Sequence, residues 1–350
     1  MSERRQLALF LTGLMALAAF GFVASSLFPE PCENLVQVGE LPLSFTDAAD
    51  ALPLSDEDAR SVQKLGEELG IGPWRGAVSL PGDATITPSE FGFFVFTDQA
   101  FTVLRPSMGL ASAARSRVGL EVVAADPSLA LRAPDGVTGV YNGEYEQERC
   151  GALPSDTRVL ALERGIAVLS DGDEVVAVTL SGNELFRAPR TAAAHVVDDT
   201  VVLGDRASIG LRDIRGGEVL QRLDGPVGTA STPPWVAASG DRLLVRTEAG
   251  VRPVAVGDAS LRPQAPVPLP FAPGAEVQAV LTPAGIVASG PISDEPQSRA
   301  LATDRSDRVV PLPPTVAVQS LHASTDGHVG VVVVVDGARG LLVYGRDAQE

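Results

Sequence analysis

Two stretches of the chain repeat each other without a gap. AVLSDGDEVVAVTLSGNELF, Ala167 to Phe186, lies over VVLGDRASIGLRDIRGGEVL, Val201 to Leu220, at a constant offset of 34. Val168/Val202, Leu169/Leu203, Asp171/Asp205, Gly182/Gly216 and Glu184/Glu218 are identical pairs. Each copy is built of short alternating strands separated by Asp and Gly turns. A unit of this length cannot bury its faces alone and has to stack on its neighbours, which points to an all-β propeller of four-stranded blades.

The same grammar runs through the rest of the chain. A first strand, a tight turn and a second apolar strand are read at Val118 to Ala124 with Leu129 to Arg132, Val159 to Leu162 with Ile166 to Leu169, and Ala194 to Val197 with Thr200 to Leu203. Further pairs are Trp235 to Ala238 with Leu243 to Thr247, Val277 to Leu281 with Gly285 to Ser289, and Val318 to Ala323 with Val329 to Val335. The turns between them, such as Asp126-Pro127, Asp198-Asp199, Pro283-Ala284 and Asp326-Gly327, have suitable chemistry. Second strands beginning at 129, 166, 200, 243, 285 and 329 are spaced as four-stranded blades are. Phe93 to Phe96 followed by Ala100 to Leu104 adds one more pair, so seven blades are predicted, with six or eight as alternatives. The last blade lacks its outermost strand, and Ala77 to Leu80 is placed to supply it. The run Val331 to Val335 reads as a strand buried on both faces.

Ahead of the propeller the organisation changes. Residues 1–6 read as a cytoplasmic stub and 7–28 as a transmembrane signal anchor, because Arg4 and Arg5 precede 22 uncharged residues from Leu7 to Phe28. A cleavable leader ending near Val23-Ala24-Ser25 is the alternative, and either way the remainder is exported. Residues 29–54 read as a linker, 55–69 as one short amphipathic helix, and 74–350 as the propeller domain. The helix has Ser55 as N-cap, acidic residues in its first turn, Val62, Leu65 and Leu69 on one face, and Gly70 at its end. Cys32 and Cys150 are the only cysteines, an even number that permits one disulfide in an exported chain. Two separate thiols are the alternative.

The formal net charge of −17 argues against nucleic acid as a partner, since phosphate contacts need clustered Lys and Arg. Searching for chemistry gives no Gly-x-Ser-x-Gly elbow, and His195, His322 and His328 read as strand or turn residues. Asp171-Gly172-Asp173 and Asp198-Asp199 are oxygen-rich but lack calcium-loop spacing, and Arg215-Gly216-Gly217 is a turn with no helix behind it to cradle a phosphate. No catalytic residue, cofactor or metal is expected.

The block Val201 to Pro226, and less fully Ala167 to Phe186, resembles the PQQ-like and WD40-like propeller repeat superfamily. That superfamily includes non-catalytic envelope scaffolds and quinone-dependent dehydrogenases. Where the dehydrogenases carry a docking Trp, this chain has Leu220-Gln221 or Phe186-Arg187. The expectation is therefore a non-enzymatic propeller held outside the cytoplasmic membrane by one helix. It would act as an interaction scaffold or accessory subunit of an envelope complex, with other envelope proteins as partners. An extracytoplasmic hydrolase or lyase using the propeller channel, and a ligand-sensing domain, remain as alternatives.

Overall fold

In the computed structural model, residues 32, 35–39, 43–97, 100–106, 110–116, 119–125, 128–142, 146–205, 207–225, 235–247, 250–271, 277–283, 285–292, 299–304 and 306–345 are described. Their strands form seven antiparallel sheets, each a blade of four consecutive strands with two exceptions. Blade 3, for instance, is Arg158–Glu163, Ile166–Asp171, Glu174–Thr179 and Glu184–Pro189, from the axis outward. First strands of neighbouring blades touch around the axis, and blade 7 meets blade 1. In blade 7 the outermost strand is Trp74–Leu80, which pairs antiparallel with Ala338–Tyr344 and closes the ring as the sequence predicted. Blade 1 carries a fifth strand, Val36–Gly39, beyond Leu110–Ser116.

The core falls into seven apolar clusters, one at each blade junction. Successive side chains along a strand point to opposite faces, so they serve alternate junctions. Val331, Val333 and Val335 join the cluster shared with blade 6, whereas Val332 joins that shared with blade 1. Phe93 and Val95 pack toward blade 7, and Phe94 and Phe96 toward blade 2. This explains the uninterrupted apolar runs: a sheet between two sheets has no wet face.

Three readings need correction. Phe93 to Phe96 lies in the second strand of blade 1, not the first; the first is Thr85–Ser89, whose polar Thr, Pro and Ser disguise a strand beside the axis. The repeat of blades 3 and 4 holds at offset 34 through the third strand only. Ala177 pairs with Phe186 but Leu211 pairs with Gln221, an offset of 35 in the fourth strand. The extra residue sits in the turn of blade 4, where Gly217 takes φ +67° and packs against Phe186. Residues 29–54 are not a free spacer where they are described. Leu35, Ala48 and Leu52 are buried, Thr46 and Ala77 exchange two backbone hydrogen bonds of 2.8 Å, and a short helix α1, Ala48–Ala51, packs on the outer strand of blade 7. Their apolar residues follow no period because successive groups fill different junctions: Cys32 and Leu35 that of blades 1 and 2, Leu43 and Phe45 that of blades 7 and 1, and Ala48, Ala51 and Leu52 that of blades 6 and 7.

Cys32 and Cys150 are joined by a disulfide, with Cα atoms 5.8 Å apart. Cys32 and Leu35 are buried in the cluster between blades 1 and 2, and the Tyr141 hydroxyl donates to the Cys32 carbonyl at 3.1 Å. Burial pushes the Tyr141 phenol up to about 12. The segment from Leu7 to Phe28 lies outside the described residues, as do Asp126-Pro127 and Ala284. Among the described residues no helix is long and apolar enough to cross a membrane.

The helix α2, Asp56–Leu69, forms as read: the Ser55 hydroxyl accepts from the Asp58 amide at 3.1 Å, and Gly70 ends it at φ +70°. Ala59, Val62, Leu65 and Leu69 bury its inner face against blades 6 and 7, and Tyr344 donates to the Val62 carbonyl at 2.6 Å. Gly66 permits this approach, since a Cβ there would sit 2.2 Å from the Gly72 carbonyl oxygen and 2.7 Å from the Tyr344 ring. Gly66→Ala is therefore expected to destabilise the protein by about 1–3 kcal/mol, although Ala gains about 1 kcal/mol in helix propensity. Urea unfolding checks the sign.

Candidate functional site

Among the described residues, six of the seven junction clusters contain an aromatic ring, and the one between blades 2 and 3 does not. Its members are Ala130, Val140, Leu153, Leu162, Ala167, Leu169 and Leu180. Small side chains between two sheets leave space toward the rims, and a cavity opens on each face of the ring at this junction.

The larger cavity, about 440 Å³, lies on the side of the turns that link first to second strands. Val140 and Leu162 contribute its apolar wall, and Ser128, Glu148, Arg149, Glu163 and Arg164 its polar lining. Arg164 and Gly165 form the tight turn of blade 3, with φ of +51° and +81°. Left-handed backbone at both centres suits a two-residue hairpin, but an arginine there costs about 1 kcal/mol that glycine would not. The Arg164 side chain pairs with Asp198, itself at φ +49° in the equivalent turn of blade 4, and lies 3.9 Å from Glu163. Ser128 donates to Glu148 at 2.8 Å. Arg149 packs over Gly165 and, among the described residues, has no carboxylate partner. The groove thus offers an apolar wall beside an exposed guanidinium.

The second cavity, about 400 Å³, is lined by Gly119, Glu121, Arg132, Ala133, Pro134, Ser155 and Asp156 on the opposite face. Its cation is already engaged. Buried Arg132 donates to Glu121 at 2.7 Å and to the Pro154 and Thr157 carbonyls at 2.7 and 2.8 Å, clamping blade 2 to the segment entering blade 3.

The residues singled out in the sequence do not converge. His195 donates from Nε2 to the Gly240 carbonyl, 2.8 Å away, tying blade 4 to blade 5; burial lowers its pKa, partly opposed by that bond. His322 sits 2.8 Å from the Ser320 hydroxyl, and burial pushes its imidazole down to about 4. His328 Nδ1 lies 2.8 Å from Asp326. Burial would raise the Asp326 carboxyl, yet hydrogen bonds from His328 and Ser324 hold it below its ordinary range. Asp171 faces Arg187 at 3.8 Å beside Glu174 and Glu184, as part of a surface ion-pair network. Among the described residues no group of three or more His, Cys, Asp or Glu side chains could hold a metal ion. The sequence places Arg164 in the blade 3 turn, Glu163-Arg164, without a part in any site, and singles out nothing at Arg149; the available signal was an arginine in a turn where Asn or Gly is usual.

These features define a seven-bladed β-propeller with a groove at the junction of blades 2 and 3. No protein-family model and no curated protein matches the chain. Among solved structures it is similar to Kluyveromyces lactis Hsv2, at 10% identity over 71% of this chain and 90% of that chain, with a TM-score of 0.47. It is also similar to BamB from Moraxella catarrhalis, at 9% identity over 78% and 99%, TM-score 0.46. A third is the β-propeller domain of Myceliophteria thermophila Cps50 (Swd1), at 10% identity over 76% and 98%, TM-score 0.49. These are likenesses of chain path, and no residue role is carried over from them.

Two outcomes are expected. Arg132→Met removes a charged donor from two carbonyls and a carboxylate, and should cost about 2–3 kcal/mol, lowering Tm by roughly 5–10 °C in calorimetry. His322 is neutral in the folded state down to about 4, whereas the unfolded chain takes up a proton near 6.5. The unfolded state therefore binds more protons in that window and stability falls as pH drops. Between about pH 7 and 5 the loss from this one group is about 2 kcal/mol, and His322→Gln should remove it from urea melts.

Proposed function

We propose that the chain is a non-catalytic protein-interaction scaffold or accessory subunit of an envelope complex, held outside the cytoplasmic membrane by the Leu7 to Phe28 segment. The observation that carries the reading is the groove at the blade 2–blade 3 junction, where Val140 and Leu162 lie beside an arginine lacking a carboxylate partner among the described residues. Such a surface suits a partner segment that presents an apolar side chain next to a carboxylate. The Cys32–Cys150 bond supports an exported domain, because disulfides persist in oxidising compartments. The 22 uncharged residues behind Arg4 and Arg5 support anchoring.

The test is a pull-down from gently solubilised membranes. Tagged full-length protein is compared with a secreted form beginning at Pro29, which keeps Cys32, and with Arg149→Glu. Envelope proteins should co-purify reproducibly with the first. Charge reversal at Arg149 should reduce their recovery about tenfold, equivalent to about 1.4 kcal/mol. Bare protein from the full-length and Pro29 preparations alike would sink the scaffold reading.

A further inference from the structure

The first described residue, Cys32, is not free to wander. Its sulfur is bonded to Cys150 in the outermost strand of blade 2, its carbonyl accepts from Tyr141, and it is 1% exposed. Three residues on, Leu35 is buried in the same junction, and Val36–Gly39 is laid down as the fifth strand of blade 1. The chain is therefore pinned at the outer rim, where blades 1 and 2 meet. Cys150 pairs with Gly139 in the middle of its strand, so the pin sits between the two faces of the ring.

The apolar segment ends at Phe28, only four residue steps before Cys32. Fully extended, four steps reach at most roughly 14 Å. A propeller domain of about 270 residues has a radius of gyration of about 18 Å, hence is roughly 45 Å across. The tether is far shorter than the body it holds. Both faces of the ring, meanwhile, carry exposed acids at their hairpin turns: Asp198, Asp241 and Asp258 on one, Asp135, Asp171 and Asp336 on the other. Two of these acids, Asp198 and Asp171, stand beside Arg164 and Arg187, so neither face is a basic patch for an anionic phospholipid surface, and the chain as a whole has a formal charge of −17.

We infer that the propeller stands on the rim of blades 1 and 2 against the bilayer, with blade 5 outermost. This rests on the anchored reading given above and adds the orientation. In a ring of seven, blade 5 lies diametrically opposite the junction of blades 1 and 2. Standing on the rim leaves both faces of the ring open to water. It also turns the outer strand of blade 4, with exposed Val219 and Leu220, away from the lipid.

Full-length protein reconstituted in vesicles of phosphatidylcholine and phosphatidylglycerol tests this, with an energy acceptor on a lipid headgroup. Donor dyes are attached through Glu146→azidophenylalanine on blade 2 or Asp258→azidophenylalanine on blade 5, which leaves the disulfide untouched. Transfer from position 146 should exceed that from 258 at least about twofold, given a body roughly 45 Å across. Equal transfer, or more from 258, overturns the inference. Inserting about 20 Gly and Ser residues after Phe28, with a mean span of roughly 25 Å, should bring the ratio toward one. A ratio unchanged by the insertion means the short tether does not set the orientation, and also overturns it. Flotation with the vesicles is read first. Protein that fails to float removes the anchored reading and this inference together, whereas floating protein with equal transfer removes the inference alone.

Discussion

Every blade of this protein is a sheet with two apolar faces, and a sheet of that kind is stable only between two others. The rest of the structure follows from that requirement. A row of such sheets would leave a wet apolar face at each end, and a ring leaves none. Closing the ring falls to Trp74–Leu80, which fills the outer position beside Ala338–Tyr344 and so joins the beginning of the domain to its end without a covalent bond. The N-terminal segment then reinforces the neighbourhood of that closure. Its helices α1 and α2 cover blades 6 and 7, and Cys32 with Leu35 fills the next junction but one.

Junctions are not equal, because the side chains that fill them differ in volume. Tyr344, Phe94, Phe93, Phe186, Trp235 and Phe271 each occupy a different junction, and among the described residues the seventh holds alanine, valine and leucine. Space appears there for the same reason that deleting an aromatic ring elsewhere would leave a void. The two cavities at that junction differ in chemistry. On one face Arg132 spends its donors on blade-to-blade carbonyls and is part of the frame. On the other, Arg164 is drawn off by Asp198, leaving Arg149 facing the groove.

Much of the fold was legible because its signals are local. The Ser55 cap, the acidic first turn and the Gly70 stop of α2 involve residues within a turn of one another. The offset-34 repeat and the valine run report strand period and burial directly. Legibility failed where a residue's environment comes from elsewhere in the chain. Thr85–Ser89 looks polar and still forms the strand next to the axis, because the neighbouring blade supplies the contacts its sequence does not advertise. The described residues of 29–54 follow no period, because they pass from the junction of blades 1 and 2 along blade 1 to blade 7. Identity also misled at Glu184 and Glu218, which one inserted turn residue moves out of equivalence.

What the sequence alone determined is the architecture: short strands, turn chemistry and blade-length spacing leave a closed ring as the way to bury both faces of each sheet. It also supplied the one pair of cysteines able to form a bond. The tertiary structure decided where this groove lies. The groove is a packing deficit between strands of two blades, lined by residues from Ser128 to Arg164, and the turn of blade 4 that captures Arg164 helps to set its charge. No local pattern encodes that, because a gap between two sheets is a property of neither sheet by itself.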